Sequence, residues 1–190
     1  MPDRHSDLVA RVAAATRAVN RRIAIACGLV LLATGALILV EIALRRTFGG
    51  VLGGTDEISG YVMAGIATWG LSWALAERAH VRIDLLQRRL APAGRATLDA
   101  LALLGVAAVA ALVTLHAWSV LATSLARGSL ANTPLETPLW IPQAIWLGGW
   151  AWFAVTAWLL AGCLLVALLG GRFALAEEIG GAQQQEEAEP

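Results

Sequence analysis

Four sets of polar residues in this chain have types and spacing that could do chemistry. Glu41 and Arg45 stand four apart with the acid first, which puts them on one helical face in the favourable order for pairing. Set in an apolar run, they read as a structural ion pair or, with Glu41 as the carrier, as a proton or cation site. Asp56 and Glu57 follow Gly-Gly-Thr. Acids there suit the positive end of a helix dipole, and Thr55 or Asp56 can cap that helix. The stretch from Arg45 to Glu57 is short, so the two are expected to pair across a hairpin. His80 and Asp84 are also four apart, with Arg82 between them. One His and one Asp do not make a metal set, and no metal site is expected. His116 lies in an apolar run near Thr114 and Ser119. It reads as an inter-helix hydrogen-bonding residue or as a haem ligand, although no second His is placed to complete a bis-His site.

The elements that must position these residues are membrane helices. Of 190 residues, 58% are hydrophobic and 15% charged, and the mean hydropathy is +0.67. Those values exclude an ordinary soluble domain and fit an all-α integral membrane protein. Four runs reach the ~20 apolar residues that cross a bilayer: Ile23–Leu44, Ile58–Ala76, Ala100–Ala126 and Leu139–Gly171. Only the first contains a charge, Glu41, near its end. The expected organisation is a basic N-terminal segment (1–22), a four-span membrane domain (23–171) and a polar, disordered tail (172–190). The basic lead is too long, and the apolar run that follows it too extended, for a cleaved signal, so a retained signal anchor is expected.

Arginine sets the direction. All fourteen basic residues are Arg. Arg4, Arg11, Arg17, Arg21 and Arg22 precede the first run, and Arg78, Arg82, Arg88, Arg89 and Arg95 lie between the second and third. The other two loops hold only Arg45, Arg46 and Arg127. With Arg172 in the tail, the positive-inside rule gives N-in, C-in. The net charge of zero carries no electrostatic footprint for nucleic acid, and no nucleic-acid partner is expected. Cys27 and Cys163 sit in apolar runs as buried, inert thiols.

Residues 77–90 interrupt the apolar pattern. Ile83, Leu86 and Leu90 share one helical face, while Arg82, Gln87, Arg88 and Arg89 lie mostly opposite. That is the pattern of an amphipathic interfacial helix between spans two and three, with membrane lipid as its partner. Trp69/Trp73 and Trp146/Trp150 form bulky i,i+4 stripes, read as packing or as a face for a larger membrane partner. Trp140 suits the interfacial belt, and Pro138 and Pro142 suit a helix entry. There is no phosphate loop, zinc-protease motif or nucleophile elbow, so neither an enzyme nor a cofactor is expected. No matched pair of interrupted spans marks a complete transporter.

Read in order, several stretches resemble the small membrane subunit of tripartite ATP-independent periplasmic (TRAP, DctQ-like) transporters. Arg45-Arg46-Thr47-Phe48-Gly49 ends span one, and Asp56-Glu57 opens span two. Ala79-His80-Val81-Arg82-Ile83-Asp84-Leu85-Leu86 is the strongest match, and Thr137-Pro138-Leu139-Trp140-Ile141-Pro142-Gln143 leads into span four. The resemblance covers roughly Ile23 to Leu169. It departs before the acidic pair, where Gly-Gly-Val-Leu-Gly-Gly-Thr replaces the aromatic residue often found in the family. The resemblance implies a large multi-span permease subunit and a periplasmic solute-binding protein as partners, sodium-driven uptake of organic acids, a bacterial inner-membrane location and a bracing role. Two other functions remain open on the residues alone: a four-helix proton-coupled exporter built on Glu41, and a membrane redox subunit built on His116.

Overall fold

The computed structural model describes residues 4–49, 53–78 and 90–180. Within them the chain forms five helices: α1 (Arg4–Phe48), α2 (Thr55–Ala76), α3 (Pro92–Arg127), α4 (Trp140–Leu169) and α5 (Phe173–Gly180). The amphipathic island at 77–90 and its His80, Arg82 and Asp84 fall almost wholly outside the described residues. Three helices, α1, α3 and α4, are long and apolar enough to cross a membrane.

Local chemistry explains the breaks. Gly53 and Gly54 take φ of 73° and 77° ahead of α2, a conformation that side chains disfavour. Pro92 sits in the first turn of α3, where its missing N–H costs nothing. Gly128 ends α3 at φ 57°, and its N–H reaches the Leu125 carbonyl. Between α3 and α4 the chain folds back through an antiparallel bridge of Leu130 with Pro138. The Ala131 amide donates to Thr137 and the Leu139 amide to Ser129.

No break falls at residue 22. The basic lead and the first apolar run form one 45-residue helix, about 67 Å long at 1.5 Å per residue. Nothing between Arg4 and Cys27 is Gly or Pro, so the helix has no reason to stop. The inner seam of α1 runs through Val9, Ala13, Thr16, Asn20, Ile23, Cys27, Thr34, Leu37, Glu41 and Leu44, all buried or half-buried. Those steps of three and four, with one of seven at Val30, are the spacing that keeps a helix in continuous contact with its neighbours. The other faces of the apolar run are exposed aliphatic side chains, including Leu29 (63%), Leu32 (71%) and Leu39 (69%).

α4 is the centre. It packs against α1, α2, α3 and α5. Half of its most apolar stretch is buried within the protein, against 6% for α1. Its contact with α2 is close because small residues face each other. A Cβ on Gly149 would strike the Thr68 side chain and come within 3.0 Å of the Thr68 backbone carbon. Trp69 of α2 closes the same seam by donating its Nε1–H to the Ile145 carbonyl at 3.0 Å.

The tail differs from the expectation of disorder over 172–190. Residues Phe173–Gly180 form α5, which docks on α3 and α4. Leu175, Ala176 and Ile179 recur at helical spacing, so one face of α5 is apolar and is buried, with Ala176 0% exposed. Residues 181–190 lie outside the described residues.

Candidate functional site

The polar chemistry gathers at the two ends of the bundle. At the end shared by the C-terminus of α1, the N-terminus of α2 and the 129–138 connector, Arg45 Nη2 and Glu41 Oε1 meet at 2.7 Å. The Thr55 hydroxyl also engages the Glu41 carboxylate. Glu41 and Thr55 are buried at 7% and 4% exposed, while most of the Arg45 side chain is open. One carboxylate thus joins its own helix to the start of the next.

Glu57, two residues beyond Thr55 on α2, faces elsewhere. Its Oε1 accepts the Tyr61 hydroxyl at 2.7 Å. The Thr133 and Thr137 hydroxyls and the Leu135 amide surround the carboxylate, yet Oε2, fully enclosed, receives no hydrogen bond of good geometry. The Thr133 hydroxyl, first, holds the Glu57 pKa below the usual carboxylate range, against a partial desolvation that pushes it up. Leu135 leans over Gly54, where any side chain would run into it. The expected Arg45–Glu57 pair is not the arrangement found. Arg45 is taken by the i,i+4 acid on its own helix, and Glu57 turns toward the 133–137 connector, which sequence separation had hidden.

At the opposite end α5 holds the bundle together. Arg95 Nη1 of α3 lies 3.3 Å from Glu177 Oε1, and Arg17 of α1 lies 4.0 Å from Glu178. Arg78, just after α2, reaches the Glu177 carbonyl at 3.5 Å. Each of these ion pairs is exposed and individually weak. Deeper in, Asn20 is fully buried: its Nδ2 donates to the Thr16 carbonyl at 3.0 Å, and its Oδ1 accepts the Trp152 Nε1–H at 2.8 Å. That is a side-chain hydrogen bond between α1 and α4 in a low-dielectric interior, where an unmet partner is costly.

The remaining candidates spread along the helices. Trp146, Trp150 and Phe153 form an edge-to-face ladder on α4, with ring centroids 6.5 Å and 5.9 Å apart. Trp73 is half-buried near the end of α2. Pro138 lies in the connector bridge, Trp140 opens α4 at 44% exposure, and Pro142 occupies its first turn. His116 is exposed on α3, and its Nδ1 lies 2.8 Å from the Leu112 carbonyl of the same helix. No group of three or more His, Cys, Asp or Glu able to hold a metal occurs among the described residues.

Long apolar helices joined by buried polar contacts define a multi-pass helical membrane protein. Its family follows from comparison with known proteins. The family described as "Tripartite ATP-independent periplasmic transporters, DctQ component" matches residues 34–169, from the middle of α1 to the end of α4, and the chain belongs to it. It is a family of transporter components rather than of enzymes. No curated protein and no solved structure matches the chain.

Proposed function

We propose that this chain is the small accessory membrane subunit of a tripartite solute importer of organic acids, driven by an ion gradient, with sodium as the coupling ion. It braces a large multi-span permease subunit and works with a periplasmic solute-binding protein. The observation that carries this reading is the family match, which spans the whole of α2, α3 and α4. In the bacterial inner membrane α2 is the fourth crossing: its uncharged residues Ile58–Ala76 reach about 28 Å. The arginine distribution then sets both termini in the cytoplasm. The α1–α2 hairpin and the 129–138 connector face the periplasm, and the C-terminus of α2 and the N-terminus of α3 face the cytoplasm. The polar groups support a scaffold role. Glu41 is engaged by Arg45 and Thr55, which leaves it committed to structure rather than to a pathway.

The test is uptake. Cells expressing the permease and binding-protein genes that neighbour this one should accumulate a labelled carboxylate from a ¹⁴C panel under an inward sodium gradient. Omitting this chain should abolish that uptake. Unchanged uptake without the chain, or uptake indifferent to sodium, would remove the corresponding part of the assignment.

A further inference from the structure

α3 carries two seams of steps three and four, the first with one step of seven across the half-buried Thr114. The first, Ala96, Ala100, Leu103, Ala107, Ala110, Ala117, Leu121 and Ser124, is buried against the bundle. The second is Gly105, Val109, Leu112, His116, Ser119 and Thr123, every one exposed. It is displaced by two residues from the first, which at 100° per residue puts it on the opposite face of the helix. It has the spacing of a packed face, and no described residue covers it.

The exposed seam differs from the exposed face of α1. Over Ile25–Ile42 the outward side chains of α1 are almost all aliphatic, which hydrocarbon satisfies. On α3 the outward seam places an imidazole ten residues inside the end of the uncharged run at Ala126, about 15 Å along the helix. Ser119 and Thr123 are satisfied by their own helix, through the His116 and Ser119 carbonyls. His116 is satisfied on one side only. A carbonyl can only accept, so the contact with Leu112 requires the proton on Nδ1; in the uncharged imidazole, the form that a hydrocarbon surrounding favours, Nε2 is then an outward acceptor. Lipid tails offer no donor at that depth, and ionisable side chains inside membranes face protein or a water-filled cavity.

We infer that the outward seam of α3, centred on His116, is the face that docks the permease subunit, and that it receives a transmembrane helix presenting a hydrogen-bond donor, a hydroxyl or carboxamide, to His116 Nε2. This rests on the reading of the chain as a TRAP small subunit. The same chemistry disfavours a second copy of this chain as the occupant. A two-fold pairing of identical seams would set Nε2 against Nε2, acceptor against acceptor, with the adjacent Ser119 hydroxyl already spent on its own backbone. Gly105 lets the partner helix approach closely at the deeper end of the seam.

The test uses the full chain, affinity-tagged and co-expressed with the permease subunit. A photo-crosslinking benzoylphenylalanine replaces Ser119 in one sample and Leu32, on the aliphatic face of α1, in another. The inference expects a chain–permease adduct from position 119 and none from position 32. Adducts only from 32, a chain–chain adduct from 119, or none from 119 although the permease co-purifies, would each overturn the docking face while leaving the subunit assignment intact. Failure of the permease to co-purify at all would overturn both. In parallel, His116→Leu should retain about threefold to tenfold less permease, the range of one inter-helix hydrogen bond, with the melting of the isolated chain unchanged. His116→Gln, which keeps an acceptor, should recover part of the loss. Equal retention by all three proteins would contradict the role of Nε2.

Discussion

The two ends of this bundle are built by different means. At the α5 end an apolar plug is primary: Ala176 and Ile179 join the buried apolar cluster that also holds Leu164 and Ala100, and the ion pairs of Arg17 and Arg95 only decorate it. At the hairpin end there is little apolar mass. Glu41, Thr55, Glu57, Tyr61, Thr133 and Thr137 hold three segments together by hydrogen bonding. The contrast teaches that stability resides at the proposed cytoplasmic end and through the α2–α4 seam. The proposed periplasmic end is a polar clasp whose loops can be loosened without unfolding the helices.

Substitutions at the two ends should therefore separate. The largest effect is expected from Leu164→Ala, which empties a fully buried site against α5. It should cost about 2–5 kcal/mol, read as a large fall in the thermal midpoint in detergent. Asn20→Ala comes next. It strands the Trp152 Nε1–H in the interior and should cost about 1–3 kcal/mol. Restoring stability with Trp152→Phe in the same chain would confirm that the unmet donor, rather than lost packing, is the cause.

At the other end Glu41→Gln should leave the midpoint almost unchanged while raising the mobility of a spin label at exposed position 136. A fall as large as that of Asn20→Ala would erase the distinction between the ends. The smallest effect is in pH. The Glu57 pKa is depressed by folding, so its contribution is present above the unfolded carboxylate value and is lost as pH falls through the lower folded value. A spin label at position 136 should stay ordered through the ordinary carboxylate range and loosen only below it. Glu57→Gln should make the label insensitive to pH across that window.

Much of this architecture was legible in the sequence because membrane crossing is written in composition and length. The Glu41–Arg45 pair was visible in its spacing, since both residues share a helix. The partner of Glu57 was not, because Thr133 and Thr137 lie far along the chain and only tertiary packing brings them in. Asn20 was missed for another reason. It lies in the Arg-rich lead, beside Arg17, Arg21 and Arg22, where one more polar residue reads as part of a solvated segment. The signal was in the spacing: Asn20, Thr34 and Glu41 stand fourteen and seven apart on one seam. α5 was hidden by its neighbourhood, a short apolar pattern that runs directly into a Gln- and Glu-rich segment.

The most direct test of the central claim is assembly. The full chain, tagged at its C-terminus, is expressed with its neighbouring permease gene and purified in mild detergent. The account predicts that the permease subunit co-elutes through size exclusion, as one complex that survives washing in high salt because its interface is intramembrane. A tagged chain that elutes alone, with the permease well expressed in the same membranes, would contradict it.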